Sequence, residues 1–274
     1  MKLSFSKMTG AGNDFVMVDN RTLSLALTRP QIADLCDRHF GIGADGFLAV
    51  EPGTDGADFR MRYYNSDGGE AEMCGNGARC FAQYLRHLGA VRGTRTTFDT
   101  PAGRITALYD ESGEVAVNLT APRDVRLRQA VPTSQGTIEV SSVNTGVPHA
   151  VVFVPDVGKV DLPALGSELR YHAAFAPKGT NVNFVQVTGP DSIRVRTYER
   201  GVEAETLACG TGVAAAAILS HLVEGLSRPV KVRVEGRAVL EVGFESAAPD
   251  GTDLRNVLLK GPAVLVFNGE IEWN

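Results

Sequence analysis

The sequence predicts an α+β fold of two pseudosymmetric domains, each a curved, mostly antiparallel, barrel-like β-sheet wrapped around a central helix, with a ligand site between them. Three observations carry this reading. First, a motif occurs twice: Cys74-Gly75-Asn76-Gly77 and Cys209-Gly210-Thr211-Gly212, each opening an apolar run. Second, the flanks repeat with it. Arg60-Met61-Arg62-Tyr63-Tyr64-Asn65 precedes the first copy and Arg194-Val195-Arg196-Thr197-Tyr198-Glu199 the second, while Thr9-Gly10 is answered by Thr145-Gly146. The offset stays near about 135 residues, close to half the chain, as a duplicated structural unit requires. Third, strand-like segments outnumber helical ones, and the strongest helix of each half lies in its middle. A chain of 274 residues supports two domains with real cores. The halves read as 1–119 with the C-terminal segment 264–274, containing Cys74, and 120–263, containing Cys209, with a seam at Ala121-Pro122-Arg123.

Taken in order, Lys2 to Met8 and Phe15 to Asp19 read as strands around the turn Gly10-Ala11-Gly12-Asn13-Asp14. Thr28-Arg29-Pro30-Gln31 is a helix start, with Thr28 as N-cap and Gln31 in the capping-box position, followed by the apolar stripe Ile32, Leu35, Cys36. Gly41-Ile42-Gly43-Ala44-Asp45-Gly46 is a loop with enough glycine to approach a ligand closely, Asp45 serving as a turn former. Strands at Phe47 to Val50 and Phe59 to Tyr64 lead to a helix from Gly75 to Leu88. Two or three strands fill Thr96 to Leu119, split at Pro101-Ala102-Gly103 and Asp110-Glu111-Ser112-Gly113. The second half repeats the order. Strands span Ile138 to Asn144, Ala150 to Val154, Val182 to Val187 and Ser192 to Tyr198, with a short helix from Leu162 to Leu169. The helix Gly210 to Glu224 is small and apolar all round, which predicts burial. Three or four strands, at Val230 to Val234, Ala238 to Val242, Val257 to Leu259 and Val264 to Phe267, complete the chain. Arg123, Arg126 and Arg128 read as a solvated basic face.

Composition narrows the function. A net charge of −5 argues against nucleic acid as a partner. No apolar run approaches the ~20 residues of a membrane span, and the N-terminus lacks a signal-peptide core, so the expected location is the cytoplasm. The cysteines are Cys36, Cys74, Cys80 and Cys209. In a reducing compartment they are reactive or buried rather than a disulfide framework. Cys74 and Cys80 lack paired metal-ligand spacing, so no metal is expected. Nucleotide-binding glycine motifs and a serine-hydrolase elbow are absent as well.

A cysteine directly before Gly-x-Gly at a helix start lies where free N–H groups and the positive dipole end favour a thiolate and bind anions. Two such thiols acting on one substrate supply a base on one face of a carbon and an acid on the other, which is what inverting a stereocentre requires. The N–H groups around Gly75-Asn76 and Gly210-Thr211 would take up charge building on a carboxylate. A lone cysteine at a helix start is more often a small core residue. Cys36 on its stripe and Cys80 inside the helix keep that role, and His39, His87, His172 and His221 have no motif context. Two other classes stay open: a thiol redox protein cycling Cys74 and Cys209, and a non-catalytic amino-acid-binding module.

The stretches Cys74-Gly75-Asn76-Gly77-Ala78-Arg79-Cys80, Tyr198-Glu199-Arg200-Gly201, Ala208-Cys209-Gly210-Thr211-Gly212, Gly10-Ala11-Gly12-Asn13-Asp14-Phe15 and Gly41-Ile42-Gly43-Ala44-Asp45 resemble the diaminopimelate epimerases over essentially the whole chain. The resemblance implies a cofactor-free, pyridoxal-independent interconversion of LL- and meso-diaminopimelate by two pseudosymmetric domains, in a homodimer. It implies Cys74 and Cys209 as the acid/base pair. Asn13, Asn65, Asn181 and Arg200 would grip the substrate. Glu199 would lie near the reacting amine, with His149 beside it, and Gly75, Asn76, Gly210 and Thr211 would hold the reacting carboxylate. The chain departs from many members at Val147, where they carry Asn, and at Gly46, where some carry Gln. A racemase of another amino acid on the same scaffold, histidine- or proline-type, is the nearest alternative. Proline racemase-like enzymes typically carry His after the first Cys-Gly, where this chain has Asn76.

Overall fold

A computed structural model describes residues 2–236, 238–246 and 253–272. The elements begin with β1 (Lys2–Gly10), β2 (Asn13–Asp19), α1 (Arg29–Cys36), β3 (Gly46–Pro52), β4 (Phe59–Asn65), α2 (Gly75–His87), β5 (Arg95–Thr100), β6 (Gly103–Tyr109) and β7 (Val115–Asn118). They continue with β8 (Arg123–Thr133), β9 (Gly136–Asn144), β10 (Pro148–Phe153), α3 (Leu162–Arg170), β11 (Asn181–Gly189), β12 (Ser192–Glu199), β13 (Ala204–Thr206), α4 (Gly210–Glu224), β14 (Val230–Arg233), β15 (Val239–Ser246), β16 (Leu254–Gly261) and β17 (Val264–Glu272). Trp273 and Asn274, the end of the expected C-terminal segment, lie outside the described residues. The chain divides into two compact units: Met1–Val117 with Gly261–Asn274, and Asn118–Lys260.

The units repeat one pairing scheme. In the first, β17 and β1 pair antiparallel, as do β1 and β2, then β2 and β3 run parallel, β3 and β4 antiparallel, β4 and β5 parallel, and β5–β6–β7 antiparallel. In the second, β8–β9–β10 are antiparallel, β10 and β11 parallel, β11 and β12 antiparallel, β12 and β14 parallel, and β14–β15–β16 antiparallel. The small strand β13 is an added hairpin partner of β12. Strands predominate and antiparallel pairs outnumber parallel ones, as the sequence leads one to expect.

Each sheet is covered on both faces. Helix α2 packs against β1 to β4 and β17, and α4 against β8 to β12, β14 and β15. On the other face, Ile32, Leu35 and Cys36 of α1 cluster with Val16, Val18, Phe47 and Ala49. Leu162, Leu165 and Leu169 of α3 likewise cluster with Ala150, Val152, Val182 and Phe184. This is why β2, β3, β10 and β11 carry unbroken buried runs rather than alternation. The N-terminus of α1 is closed by the Thr28 N–H donating to Gln31 Oε1 at 2.9 Å. Helix α4 spans the expected residues and is buried from Gly212 to Ser220, then stops at Gly225 with φ +72°.

Two strands have no counterpart in the sequence reading. The first is β8, mostly exposed, with left-handed backbone at Asp124 (φ 57°) and Arg128 (φ 52°). Its register against β9 shifts between Arg123 and Arg126 and again between Arg126 and Gln129. Bulges break the period-two pattern by which a strand is recognised. Its arginines 123, 126 and 128 are exposed, in keeping with a solvated face. The second is β13, three residues long and held only by pairing with β12.

The second glycine of each Cys-Gly-x-Gly sits where the central helix meets the sheet. A Cβ on Gly77 would make ordinary contacts of 3.5 Å to Cys74 Cβ and 3.6 Å to Leu48 Cδ1 and Phe15 Cε1. A Cβ on Gly212 would come within 2.5 Å of Asn183 Oδ1 and 3.3 Å of His149 Cε1. That oxygen is fully buried and held by the Thr197 hydroxyl at 2.9 Å, so it has no room to retreat. Gly212→Ala is therefore expected to cost roughly 1–3 kcal/mol. Gly77→Ala should be neutral or stabilising by up to about 1 kcal/mol. Urea unfolding midpoints check this, and equal shifts for both variants would contradict it.

Candidate active site

In the first unit, Cys74 is the N-cap residue of α2, and its Sγ accepts from the Gly77 N–H at 3.4 Å. The first turn of the helix is braced from within by Arg79, which is fully buried. Its guanidinium donates to the Gly75 carbonyl at 3.3 Å and to Asn76 Oδ1 at 2.8 Å, while Nε has no partner among the described residues. Burial pulls the Arg79 pKa down, yet an arginine stays charged in a protein.

Because arginine only donates, Asn76 must turn its oxygen to Arg79 and its amine to Asn13 Oδ1, 2.6 Å away. Asn13 then turns its own amine to Asp45 Oδ2 at 3.0 Å. Asp45 also pairs with Arg38 at 2.7 Å, and Asp14 pairs with Arg38 and Lys7, each at 2.8 Å. Burial works to raise the Asp14 carboxyl, but Arg38 and Lys7 beside it outweigh that and hold it well below the usual carboxylate range. Asp45 is thus an anchor for Asn13 as well as a turn residue. The neighbouring glycines let the loop pack on the end of α1: a Cβ on Gly41 would collide with the Asp34 carbonyl, and Gly43 has φ +76°. Asn65 ends β4 opposite Gly46 and accepts from the Tyr63 hydroxyl at 3.0 Å.

In the second unit, Cys209 is the N-cap residue of α4 and is buried, 9% exposed. Its Sγ lies 3.5 Å from Thr211 Oγ1, and that hydroxyl lies 2.9 Å from His149 Nε2. The Thr211 carbonyl accepts from the Thr145 hydroxyl at 2.9 Å, tying the first turn of α4 to the chain ahead of β10. His149 has no solvent exposure, and burial, aided by the Arg200 charge, pushes its pKa down to about 3, so the ring is neutral. Asn181 donates to the Pro148 carbonyl at 3.0 Å and accepts from the Arg200 N–H at 2.9 Å, bracing two expected site segments. The Arg200 guanidinium reaches the Lys178 carbonyl at 3.4 Å. Glu199 is half-buried, and that burial raises its carboxyl pKa.

The structure therefore gathers Asn13 with Asn76 at the head of α2, and His149 with Thr211 and Cys209 at the head of α4. Asn181 joins Arg200 through backbone contacts. Arg79, Asn183, Thr197 and Thr145 enter the site only through the structure. Asn183 carried a signal: it is a polar residue inside the apolar run Val182-Asn183-Phe184-Val185, and a buried polar side chain is the informative exception. Arg79 lies two residues past the repeated motif, but nothing in its neighbours says that it turns inward.

Burial pushes the Cys36 thiol up to about 11 and the Cys80 thiol up to about 12. Both should stay protonated and inert near neutral pH. Iodoacetamide with the folded, reduced protein at about pH 8 is expected to label Cys74 and Cys209 and to spare Cys36 and Cys80, as read by peptide mass spectrometry. Labelling of Cys80 ahead of Cys74 would overturn this. His149 adds a pH dependence to stability. An unfolded histidine takes up its proton below 6.5, whereas the folded one resists until about 3. Stability is thus fully present above that window and lost as pH falls through it, by up to about 1.4 kcal/mol per pH unit. Unfolding free energies of wild type and His149→Gln from neutral pH downward check this, since the variant should lack that component.

Comparison with known proteins agrees with this architecture. A family model described as diaminopimelate epimerase matches residues 5–125 and 141–246. Diaminopimelate epimerase of Aquifex aeolicus (strain VF5) is 42% identical over 281 residues, covering 98% of each chain. The enzyme of the same name from Chlorobaculum tepidum is 40% identical over 265 residues, covering 96% of this chain and 99% of that one. Among solved structures, a phenazine biosynthesis protein of the PhzF family from Bacillus anthracis superposes with a TM-score of 0.74 at 17% identity over the full length of both chains. A probable proline racemase from Agrobacterium radiobacter K84 gives 0.70 at 16% identity, covering 99% of this chain and 93% of that one. These two share the fold alone. With two cysteine-capped central helices in repeated units and near-complete coverage by its relatives, the chain belongs to the diaminopimelate epimerase family.

Proposed function

We propose that the protein inverts one α-carbon of diaminopimelate, interconverting the LL and meso forms, with Cys74 and Cys209 as the acid/base pair and no organic cofactor. The isomerase class follows from the family. The observation that carries the finer reading is the placement of both cysteines as N-cap residues of the central helices, one in each repeated unit.

Removing the α-proton leaves charge that spreads onto the adjacent carboxylate oxygens. The opening turns of α2 and α4, headed by Gly75-Asn76 and Gly210-Thr211, offer outward N–H groups suited to that charge. One thiolate takes the proton while the other thiol returns one to the opposite face. Net, one C–H bond breaks, one forms, and the two sulfurs exchange protonation states. Asn13 presents an amide whose orientation is already set by Asn76 and Asp45, so ligand binding need not order it. Arg200 would bind the distal carboxylate, Asn65 and Asn181 would help hold the distal end, and Glu199 would lie near the reacting amine. His149 would act on this chemistry as a neutral ring.

We place the reaction in the cytoplasm, a reducing compartment in which thiols stay available for acid/base work. Among the described residues no helix is long and apolar enough to cross a membrane. We take the active form as a homodimer. Val264, Val266 and Phe267 on β17 are about half exposed, an apolar face of the kind a second copy covers.

Proton NMR of reduced protein with LL-diaminopimelate in D₂O, without pyridoxal phosphate, tests the function. Deuterium should enter at the α-carbon as the meso form builds up. Cys74→Ala and Cys209→Ala are each expected to lower turnover by about 10³-fold or more while leaving the fold intact. Full turnover by either would sink the two-base assignment. No exchange by well-folded wild type would point instead to racemisation of a single amino acid, with histidine and proline as the next substrates to try.

A further inference from the structure

The repeated pairing scheme allows the two units to be compared position by position. In the first, the parallel pair β2–β3 sets Phe15 opposite Gly46 and Met17 opposite Leu48, and β3–β4 sets Leu48 opposite Tyr63. In the second, β10–β11 sets His149 opposite Asn181 and Val151 opposite Asn183, and β11–β12 sets Asn183 opposite Thr197. Phe15, Leu48 and Tyr63 are therefore the counterparts of His149, Asn183 and Thr197. The surroundings of the two helix-head glycines agree. Gly77 looks onto Leu48 and Phe15, and Gly212 looks onto Asn183 and His149. All six side chains are buried. The fold is content with an aliphatic and two aromatic side chains under the head of its central helix. The second unit has placed three polar groups there instead.

Those three groups form a chain whose direction is forced. The Ala150 carbonyl can only accept, so the Asn183 amine faces it, at 3.0 Å. The second amine hydrogen then points to His149 Nδ1 at 3.2 Å, and Oδ1 accepts from the Thr197 hydroxyl at 2.9 Å. Facing a donor, Nδ1 must be the bare nitrogen, so the ring proton is on Nε2. It is donated to Thr211 Oγ1, 2.9 Å away. The Thr211 hydroxyl, occupied as an acceptor, has its own proton left for Cys209 Sγ at 3.5 Å. Burial keeps the ring neutral, so no second ring proton blurs this order.

We propose that Asn183 is a positioning residue for Cys209: anchored by Thr197 and the Ala150 carbonyl, it fixes the His149 tautomer and thereby aims the Thr211 hydroxyl proton at the sulfur. The proposal rests on the reading of Cys209 as an acid/base group. No proton travels along the chain. Each bond only orients the next, and the final O–H stabilises negative charge on Cys209 when its own proton is on the substrate carbon. With the opposite tautomer, Nε2 would accept from Thr211, and the hydroxyl lone pairs would face the sulfur and oppose that charge. Asn183 itself meets no substrate in this scheme.

The test pairs a spectroscopic readout with kinetics. Long-range ¹H–¹⁵N correlation spectra of histidine-labelled protein at neutral pH report the tautomer, with His149→Gln identifying the resonance. Wild type should show His149 neutral and protonated on Nε2. Asn183→Asp puts an acceptor against Nδ1 and should move the proton there. Asn183→Leu, which copies Leu48 of the first unit, should release the tautomer. Both variants should lose kcat by about tenfold or more with KM changed by less than about threefold, the mark of an interaction that matters in the transition state and not in substrate binding. A wild-type ring protonated on Nδ1, or on both nitrogens, would overturn the proposal, as would wild-type kcat in a folded Asn183→Leu protein. If the variants do not fold, the wild-type spectrum decides alone. Failure of the functional reading would show separately, as an expected tautomer in a protein that leaves diaminopimelate untouched.

Discussion

Everything at the heads of the central helices depends on how closely a helix can press its first turn onto a sheet. The limit is set by the residue that faces the sheet three positions past the cap. Glycine at 212 lets α4 settle until its opening turn touches β10 and β11 directly, while at 77, where α2 meets β2 and β3, an added methyl would make only ordinary contacts. That contact immobilises the cap, and the cap residue is a cysteine in both cases. A helix N-terminus held in this way presents oriented N–H groups and the positive end of a dipole at a fixed place. Gly10 does the same from the strand side: a Cβ there would press on Cys80 Sγ at 2.9 Å and on the Asn76 carbonyl at 3.0 Å.

The duplicated scaffold does not give duplicated chemistry. Beneath α4 lies a chain of hydrogen bonds from Thr197 to Cys209, and beneath α2 an apolar cluster in which Phe15 and Tyr63 meet edge to face at 6.2 Å between ring centres. The first unit instead places its buried polar chemistry inside the helix, where Arg79 drives a directional series through Asn76 and Asn13 to Asp45. Both arrangements solve one problem. A side-chain amide can face either way, and a carbonyl oxygen or a guanidinium beside it removes the choice. A reaction that interconverts two stereoisomers presents opposite faces of a carbon to its two proton-transfer groups, and each face has its own surroundings. In the proposed reaction, the asymmetry of the two helix heads would suit a carbon whose two faces differ.

Buried charge is handled differently in each place. Arg79 has a carbonyl and an amide oxygen as partners in place of a carboxylate, an arrangement costly to stability because desolvation is only partly offset. Asp14 lies between Lys7 and Arg38, and its charged state is strongly favoured. His149 avoids the cost by remaining neutral. The first two hold position by charge, while the third holds a hydrogen-bond direction that charging would erase.

Much of this was legible in the residues. The doubled Cys-Gly-x-Gly, its flanks and the apolar runs specify two like units, their central helices and the cysteines at their heads, because helix starts, turns and burial periods are local properties of the chain. Gly210–Glu224 could be bounded to the residue for that reason. Strand β8 could not, because its bulges erase periodicity and only β9 makes it a strand. Tertiary structure alone decided that Arg79 turns inward, that Asp45 steadies Asn13, and that Asn183 and Thr197 stand behind His149. Each of those relations joins residues by the direction of a hydrogen bond. Direction depends on what else surrounds a side chain in space, and no spacing along the chain records it.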